Sequence, residues 1–175
     1  MGRNHLRVLS LLKNVQVGFI YDSDQPRAAE LAAEFGVTAT NQLERELDTV
    51  DALVIATPTS THAEYIRMAA THLKYIFVEK PLTDRVESDE EVCRLAEENG
   101  IGIQVGFIER FNPAVAALKD LMDANRRIVN VDFTRTNKIS SRITDVDVIS
   151  DLMIHDIDLA CYLNGPVVDV AAYGT

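Results

Sequence analysis

The sequence predicts a doubly wound α/β protein, a parallel sheet with helices on its faces, and three observations carry that expectation. Short apolar runs rich in β-branched residues recur at residues 15–21, 50–56, 75–78 and 101–108. Stretches of helix formers about ten residues long separate them, the rhythm of right-handed βαβ crossovers. The strands are apolar on both faces, as parallel strands covered by helices are.

Taken in order, the chain opens in a helical stretch, 3–12, with Leu6, Leu9 and Leu12 on one face. The first strand, 15–21, is bounded by the turn formers Asp22, Ser23 and Asp24. Pro26 then opens a helix for which Asp24 is the expected N-cap and Gly36 the stop. Strand 50–56, helix 63–70 and strand 75–78 follow, then a helix 88–99 capped by Ser88 and ended by Gly100, then strand 101–108. Asn112 and Pro113 start a further helix to about residue 124. Beyond it, 127–137 alternates apolar and polar residues, the pattern of a half-exposed antiparallel strand. That change of texture places a domain boundary between 1–124 and 125–175. A loop with Ser140 and Ser141, a helix 148–163, a break at Gly165-Pro166 and a strand 167–172 complete the reading. A doubly wound nucleotide fold starts with a strand and a glycine-rich turn, and two strands with one helix do not close a second core, so the sequence is expected to be incomplete at both ends.

Composition narrows the function. The chain has 175 residues, 47% of them hydrophobic, enough for a core. Twenty-seven acidic against seventeen basic residues give a net charge of -10, which repels phosphate backbones and anionic membranes, so neither nucleic acid nor membrane is expected as a partner. No apolar run approaches the roughly 20 residues of a spanning helix, and residues 1–5 lack the apolar block of a secretory signal; a cytoplasmic address is expected. Cys93 and Cys161 show no CxxC spacing and read as small core hydrophobes.

Two segments carry chemistry. Val78-Glu79-Lys80-Pro81 falls at the carboxyl end of a strand, where ligands of such sheets bind; a solvated Glu-Lys pair before a strand-ending proline is the alternative. In the run from Asp151 to Asp158, positions 151, 155 and 158 share one face of an α-helix, so Asp151, His155 and Asp158 can converge. A surface Asp-His pair is the alternative there. A divalent ion on those three is not expected, since one helix supplies few converging ligands.

Together with their spacing, these segments resemble the Gfo/Idh/MocA oxidoreductases, the glucose-fructose oxidoreductase and inositol dehydrogenase group. The resemblance runs over the whole chain. Its landmarks are residues 1–5, Asp22 after a strand, residues 56–62 ending in Thr59-Ser60-Thr61-His62, Glu79-Lys80-Pro81, Gly106-Phe107 with Arg110-Phe111-Asn112-Pro113, and residues 151–158. It implies a Rossmann-type domain (1–124) that lacks its first strand and keeps only Met1-Gly2 of the G-x-G-x-x-G turn, followed by the start of an open-sheet α/β domain (125–175) for substrate and oligomerisation. It also implies NAD-dependent hydride transfer at a ring alcohol of a sugar, cyclitol or nucleotide sugar, by a homo-oligomer; the run 149–158 leans towards nucleotide sugars. The alternative is a catalytically inactive fragment, at most a nucleotide-binding or subunit-pairing module.

Residue by residue, the resemblance makes Gly2 the third glycine of the turn, with Arg3 starting a helix whose N-terminus faces phosphate. Asp22, about 20 residues on, accepts from the adenosine ribose hydroxyls and so favours NAD over NADP; no arginine directly follows it, Arg27 being the nearest. Thr57, Pro58 and Thr59 contact the adenylate and ribose, an N-capping threonine being the competing reading. His62, Glu79 and Lys80 complete the expected cofactor set, although for His5 and His62 a cap or packing role stays open. Lys80, Asp151 and His155 form the expected catalytic set: His155 as base, Lys80 steadying the developing alkoxide, Asp151 orienting one of them. Arg110 is read as part of an interdomain hinge, with substrate contact the alternative.

Overall fold

The computed structural model describes residues 1–125, 128–136 and 147–173. It divides into two compact units, 1–105 and 106–175. Helix α1 (Gly2–Leu9) opens the first, followed by β1 (Phe19–Ile20), α2 (Gln25–Phe35), β2 (Thr38–Ala39), α3 (Leu43–Glu46), β3 (Ala52–Ile55), α4 (His62–Ala69), β4 (Tyr75–Val78), α5 (Val86–Asn99) and β5 (Gly102–Val105). Every strand pair is parallel, as expected of a doubly wound fold. The ladders form two sheets, β1-β2 and β3-β4-β5. In the larger sheet Leu53, Ile76 and Ile103 lie in one row and Ile55, Val78 and Val105 in another. Ile66 and Ala69 of α4, with Val92 of α5, close over these rows, and Leu47, Ile66, Ile76, Val78 and Val92 are wholly enclosed.

Local chemistry sets the helix ends. Asp24 caps α2 by accepting from the Arg27 amide at 3.2 Å, and Gly36 and Gly100 end α2 and α5 at φ +67° and +63°, a backbone region costly for other residues. The start of α5 differs from the sequence reading. Its first turn begins at Val86, and Thr83 organises it: the hydroxyl accepts from the Arg85 amide at 3.3 Å and lies 2.8 Å from the Asp89 carboxylate. Ser88 is buried inside the helix and caps nothing.

Other differences have plain reasons. Only Phe19–Ile20 of the run 15–21 is strand, because only these two residues find a ladder partner, Thr38–Ala39; that partner is too short and too poor in apolar residues to be seen in the sequence. Cys93 is exposed on α5 and Cys161 half-buried, so neither is a core residue.

The second unit contains α6 (Pro113–Asn125) and α7 (Ile154–Asn164). The division falls at 105/106 rather than 124/125, and the turn Ile108–Phe111 goes with the second unit because its Arg110 is bound to Asp158 of α7. Residues 128–136 and 167–172 carry no ladder among the described residues, so the strands expected there lack the hydrogen-bonded neighbour a strand requires. Ser140 and Ser141 lie outside the described residues. The helix expected from 148 begins with a π-helical segment, Ile149–Met153, before α7. Among the described residues no helix is long and apolar enough to cross a membrane.

Candidate active site

The first unit's residues expected to face a nucleotide lie at the carboxyl ends of β1, β3 and β4 and at the start of α1. The N-terminus of α1 has no side-chain cap and no acidic residue in its first turn, which leaves its partial positive charge suited to an anion. A Cβ at Gly2 would come no nearer than 4.0 Å to the Ala56 side chain, an ordinary contact, so packing against Ala56 does not itself demand the glycine expected there. Arg3 is exposed and turned to Glu34 of α2 at 2.6 Å. Asp22 follows β1, accepts from the Asp24 amide at 3.0 Å, keeps about a third of its side chain exposed and lies 3.8 Å from the Arg27 guanidinium. These features fit a dinucleotide: a helix N-terminus for pyrophosphate and an accessible carboxylate for ribose.

Thr57 and Pro58 lie in the turn after β3, with Pro58 exposed and Thr59 buried. No threonine caps α4: its N-cap residue, Thr61, turns its hydroxyl to the Thr57 hydroxyl at 2.8 Å and the Pro58 carbonyl at 2.7 Å. His62 is 1% exposed, with Nδ1 3.0 Å from the Pro81 carbonyl oxygen and 3.3 Å from that of Leu82, and Nε2 3.1 Å from that of Thr57. Its ring therefore has no surface to offer a cofactor, which corrects the sequence assignment: both nitrogens already face backbone. Glu79 too is turned inward, 9% exposed, its Oε1 2.6 Å from His5 Nε2. The His5 ring stands edge-on to Phe77 at 5.1 Å between centroids. Lys80 is half-buried at the mouth of β4. His5 was not singled out by sequence reasoning as a site residue. Its place in the first turn of α1 was the available signal; the partner on β4 was not.

In the second unit Asp151 lies in the π-helical segment and His155 in the first turn of α7, both half-buried. Bonds closing over five residues rather than four change the angular spacing, so the shared face derived for Asp151, His155 and Asp158 does not carry over from a regular helix. Asp158 is buried and taken by Arg110, whose Nε donates to Oδ2 at 2.9 Å while Nη2 donates to Oδ1. The guanidinium also lies over the rings of Phe107 and Tyr162, at 5.3 and 5.2 Å. Hydrogen bonding to Asp158 holds Arg110 still more firmly protonated than usual. Arg110 thus braces the second unit. Arg135 does likewise, donating to Asp156 at 2.9 Å.

Parallel βα units with an uncapped helix start and an accessible aspartate at the strand ends define a Rossmann-type dinucleotide-binding unit. The chain belongs to the Gfo/Idh/MocA oxidoreductase family with NAD-binding Rossmann fold, whose family model matches residues 1–107. It is 34% identical over 175 residues to the UDP-N-acetylglucosamine 3-dehydrogenase of Acidithiobacillus ferrooxidans, a match covering 99% of this chain and 55% of the relative. It is 37% identical over 163 residues to the scyllo-inositol 2-dehydrogenase (NAD(+)) of Bacillus subtilis, covering 85% and 46%. The chain thus spans about half the length of the curated relatives it matches. A crystal structure of the Acidithiobacillus enzyme superposes with a TM-score of 0.81 at 32% identity, over 98% of this chain and 58% of that one.

Proposed function

We propose that this chain provides the dinucleotide site and the catalytic side chains of an NAD-dependent oxidoreductase acting on a ring alcohol of a sugar, cyclitol or nucleotide sugar. The observation that carries the reading is the placement of Glu79-Lys80-Pro81 at the carboxyl end of β4, with Glu79 bonded to α1, the helix whose open N-terminus suits a pyrophosphate. The names of the two relatives, one acting on UDP-N-acetylglucosamine and one on scyllo-inositol, support the substrate class. Similarity to the former over nearly the whole chain favours nucleotide sugars.

When bound, NAD supplies the hydride acceptor. Asp22 accepts hydrogen bonds from the adenosine ribose, and the first turn of α1 offsets the pyrophosphate charge. Thr57 and Pro58 line the adenylate side. Hydride leaves a carbinol carbon only as its hydroxyl proton is lost, so His155 takes that proton and the Lys80 ammonium steadies the oxygen as it becomes an alkoxide. Asp151 orients the proton-transfer group. Exposed apolar side chains on the second unit, among them Val129, Val168, Val170 and Tyr173, support a homo-oligomer.

The test is reduction of NAD by scyllo-inositol or UDP-N-acetylglucosamine, in this chain joined to the segments of the Acidithiobacillus relative that lie outside the match. Formation of reduced nicotinamide with matching ketone is expected; a folded, NAD-binding protein that reduces no cofactor with any ring alcohol overturns the reading. In the same protein NAD is expected to be preferred over NADP by about tenfold or more, because Asp22 repels a 2′-phosphate. Arg27, 3.8 Å away, tempers that repulsion. Initial rates with the two cofactors decide it, and a preference for NADP contradicts it.

A second reading, a catalytically inactive piece with little nucleotide affinity, is favoured by the division of the first unit's strands into two sheets that no ladder joins. On that reading the 175-residue chain alone binds NAD too weakly to detect at millimolar cofactor. Calorimetric titration with light scattering tests it, since a monodisperse monomer binding NAD at micromolar concentration excludes it.

A further inference from the structure

We infer that His5 and His62 are positioning residues that hold the Glu79-Lys80-Pro81 turn from two sides and so fix where Lys80 presents its ammonium. This rests on the oxidoreductase reading for its purpose, not for its geometry. Lys80 belongs to a chain segment whose two neighbours are each tied to another element. Before it, the Glu79 carboxylate is 2.6 Å from His5 Nε2, and the His5 ring is itself held edge-on by Phe77. The Glu79 amide also donates to Ile55 at the end of β3, at 2.9 Å. After it, the Pro81 carbonyl lies 3.0 Å from His62 Nδ1, and the opposite edge of the same ring reaches the Thr57 carbonyl at 3.1 Å.

The two rings therefore join three cofactor-side elements that the sheet ladders alone leave less firmly related: the start of α1, the turn after β3 and the turn after β4. A long, flexible lysine is a poor electrostatic catalyst unless its backbone is fixed, since small displacements at a reacting centre are costly in rate. The enclosed surroundings of His62 suit that task. Its nitrogens face only carbonyl oxygens, which can only accept, so every bond it makes uses a ring N–H. Neither histidine needs to touch substrate. Phenylalanine can fill either space but cannot donate, and glutamine restores a donor.

The experiment reads backbone amides of the 175-residue chain by NMR, with no cofactor present, in His62→Phe, His62→Gln and His5→Phe, beside the midpoint of thermal unfolding. For His62→Phe the expected result is amide shifts and about tenfold or faster hydrogen exchange at Thr59, Lys80 and Leu82, on both turns, beyond what any change in global stability produces. His62→Gln is expected to return exchange to within about threefold of the parent. For His5→Phe the changes are expected at Glu79 and Lys80 and along the first turn of α1. Changes confined to α4 in the His62 variants, or exchange that merely tracks global stability, overturn the inference. So does a His62→Gln variant indistinguishable from His62→Phe. If His62→Phe does not fold, His62→Gln and His5→Phe decide it by the same sites. In the chain joined to the Acidithiobacillus segments, loss of turnover in His62→Phe with unchanged substrate KM supports the positioning role, and unchanged turnover beside an impaired Lys80→Ala overturns it. A Lys80→Ala variant with full activity instead removes the catalytic reading, and the amide data still judge the positioning.

Discussion

Lys80→Ala and His155→Ala are each expected to lower turnover by about two to four orders of magnitude in the chain joined to the Acidithiobacillus segments, with NAD affinity nearly unchanged. The size follows from the chemistry assigned. A general base or a cation opposite a developing alkoxide acts mainly in the transition state, so its loss falls on kcat rather than on ground-state binding. On the proposed reading neither role is interchangeable with the other: the imidazole would accept the hydroxyl proton, whereas the ammonium would supply charge on a flexible stem whose turn is held by neighbours. Single-turnover and steady-state rates, with cofactor titration, check the expectation. Turnover within about threefold of the parent for both variants removes both residues from the mechanism.

Arg110→Ala is expected to destabilise the second unit by about 3 kcal/mol, and Asp158→Ala by less, although each removes the same ion pair. The asymmetry comes from burial. The Asp158 side chain is only 5% exposed and that of Arg110 39%. Deleting the arginine strands a buried carboxylate whose solvation nothing replaces, whereas deleting the aspartate leaves a guanidinium able to recover water. Arg110→Ala also loses the packing of its plane over Phe107 and Tyr162. Denaturant unfolding of both single variants and the double variant measures this. A double variant costing less than the sum is expected, and equal single-variant costs contradict the account.

What was legible in the sequence was whatever local chemistry decides. Asp24, Pro26 and Gly36 announce α2 within a dozen residues, and Gly100 ends α5, because capping and positive φ depend on neighbours along the chain. The same holds for Glu79-Lys80-Pro81 after β4. What depends on partners far along the chain was hidden. Thr38–Ala39 becomes a strand only because Phe19–Ile20 lies beside it. The spacing of Asp151, His155 and Asp158 reads in the sequence as that of a regular helix, whereas the segment before α7 is π-helical, and the capture of Asp158 by Arg110, 48 residues away, is invisible there. The family resemblance places His62 with the cofactor set. Only the fold shows that its ring points inward, at the carbonyls of two turns.

Isotope transfer tests the central claim most directly. A ring alcohol deuterated at its carbinol carbon, either scyllo-inositol or UDP-N-acetylglucosamine, is incubated with NAD and the chain joined to the Acidithiobacillus segments, and the reduced cofactor is analysed by mass spectrometry. Direct hydride transfer moves the deuterium to the nicotinamide, one per cofactor reduced, and Lys80→Ala suppresses it. Reduced cofactor without deuterium, or transfer undiminished in both Lys80→Ala and His155→Ala, contradicts it.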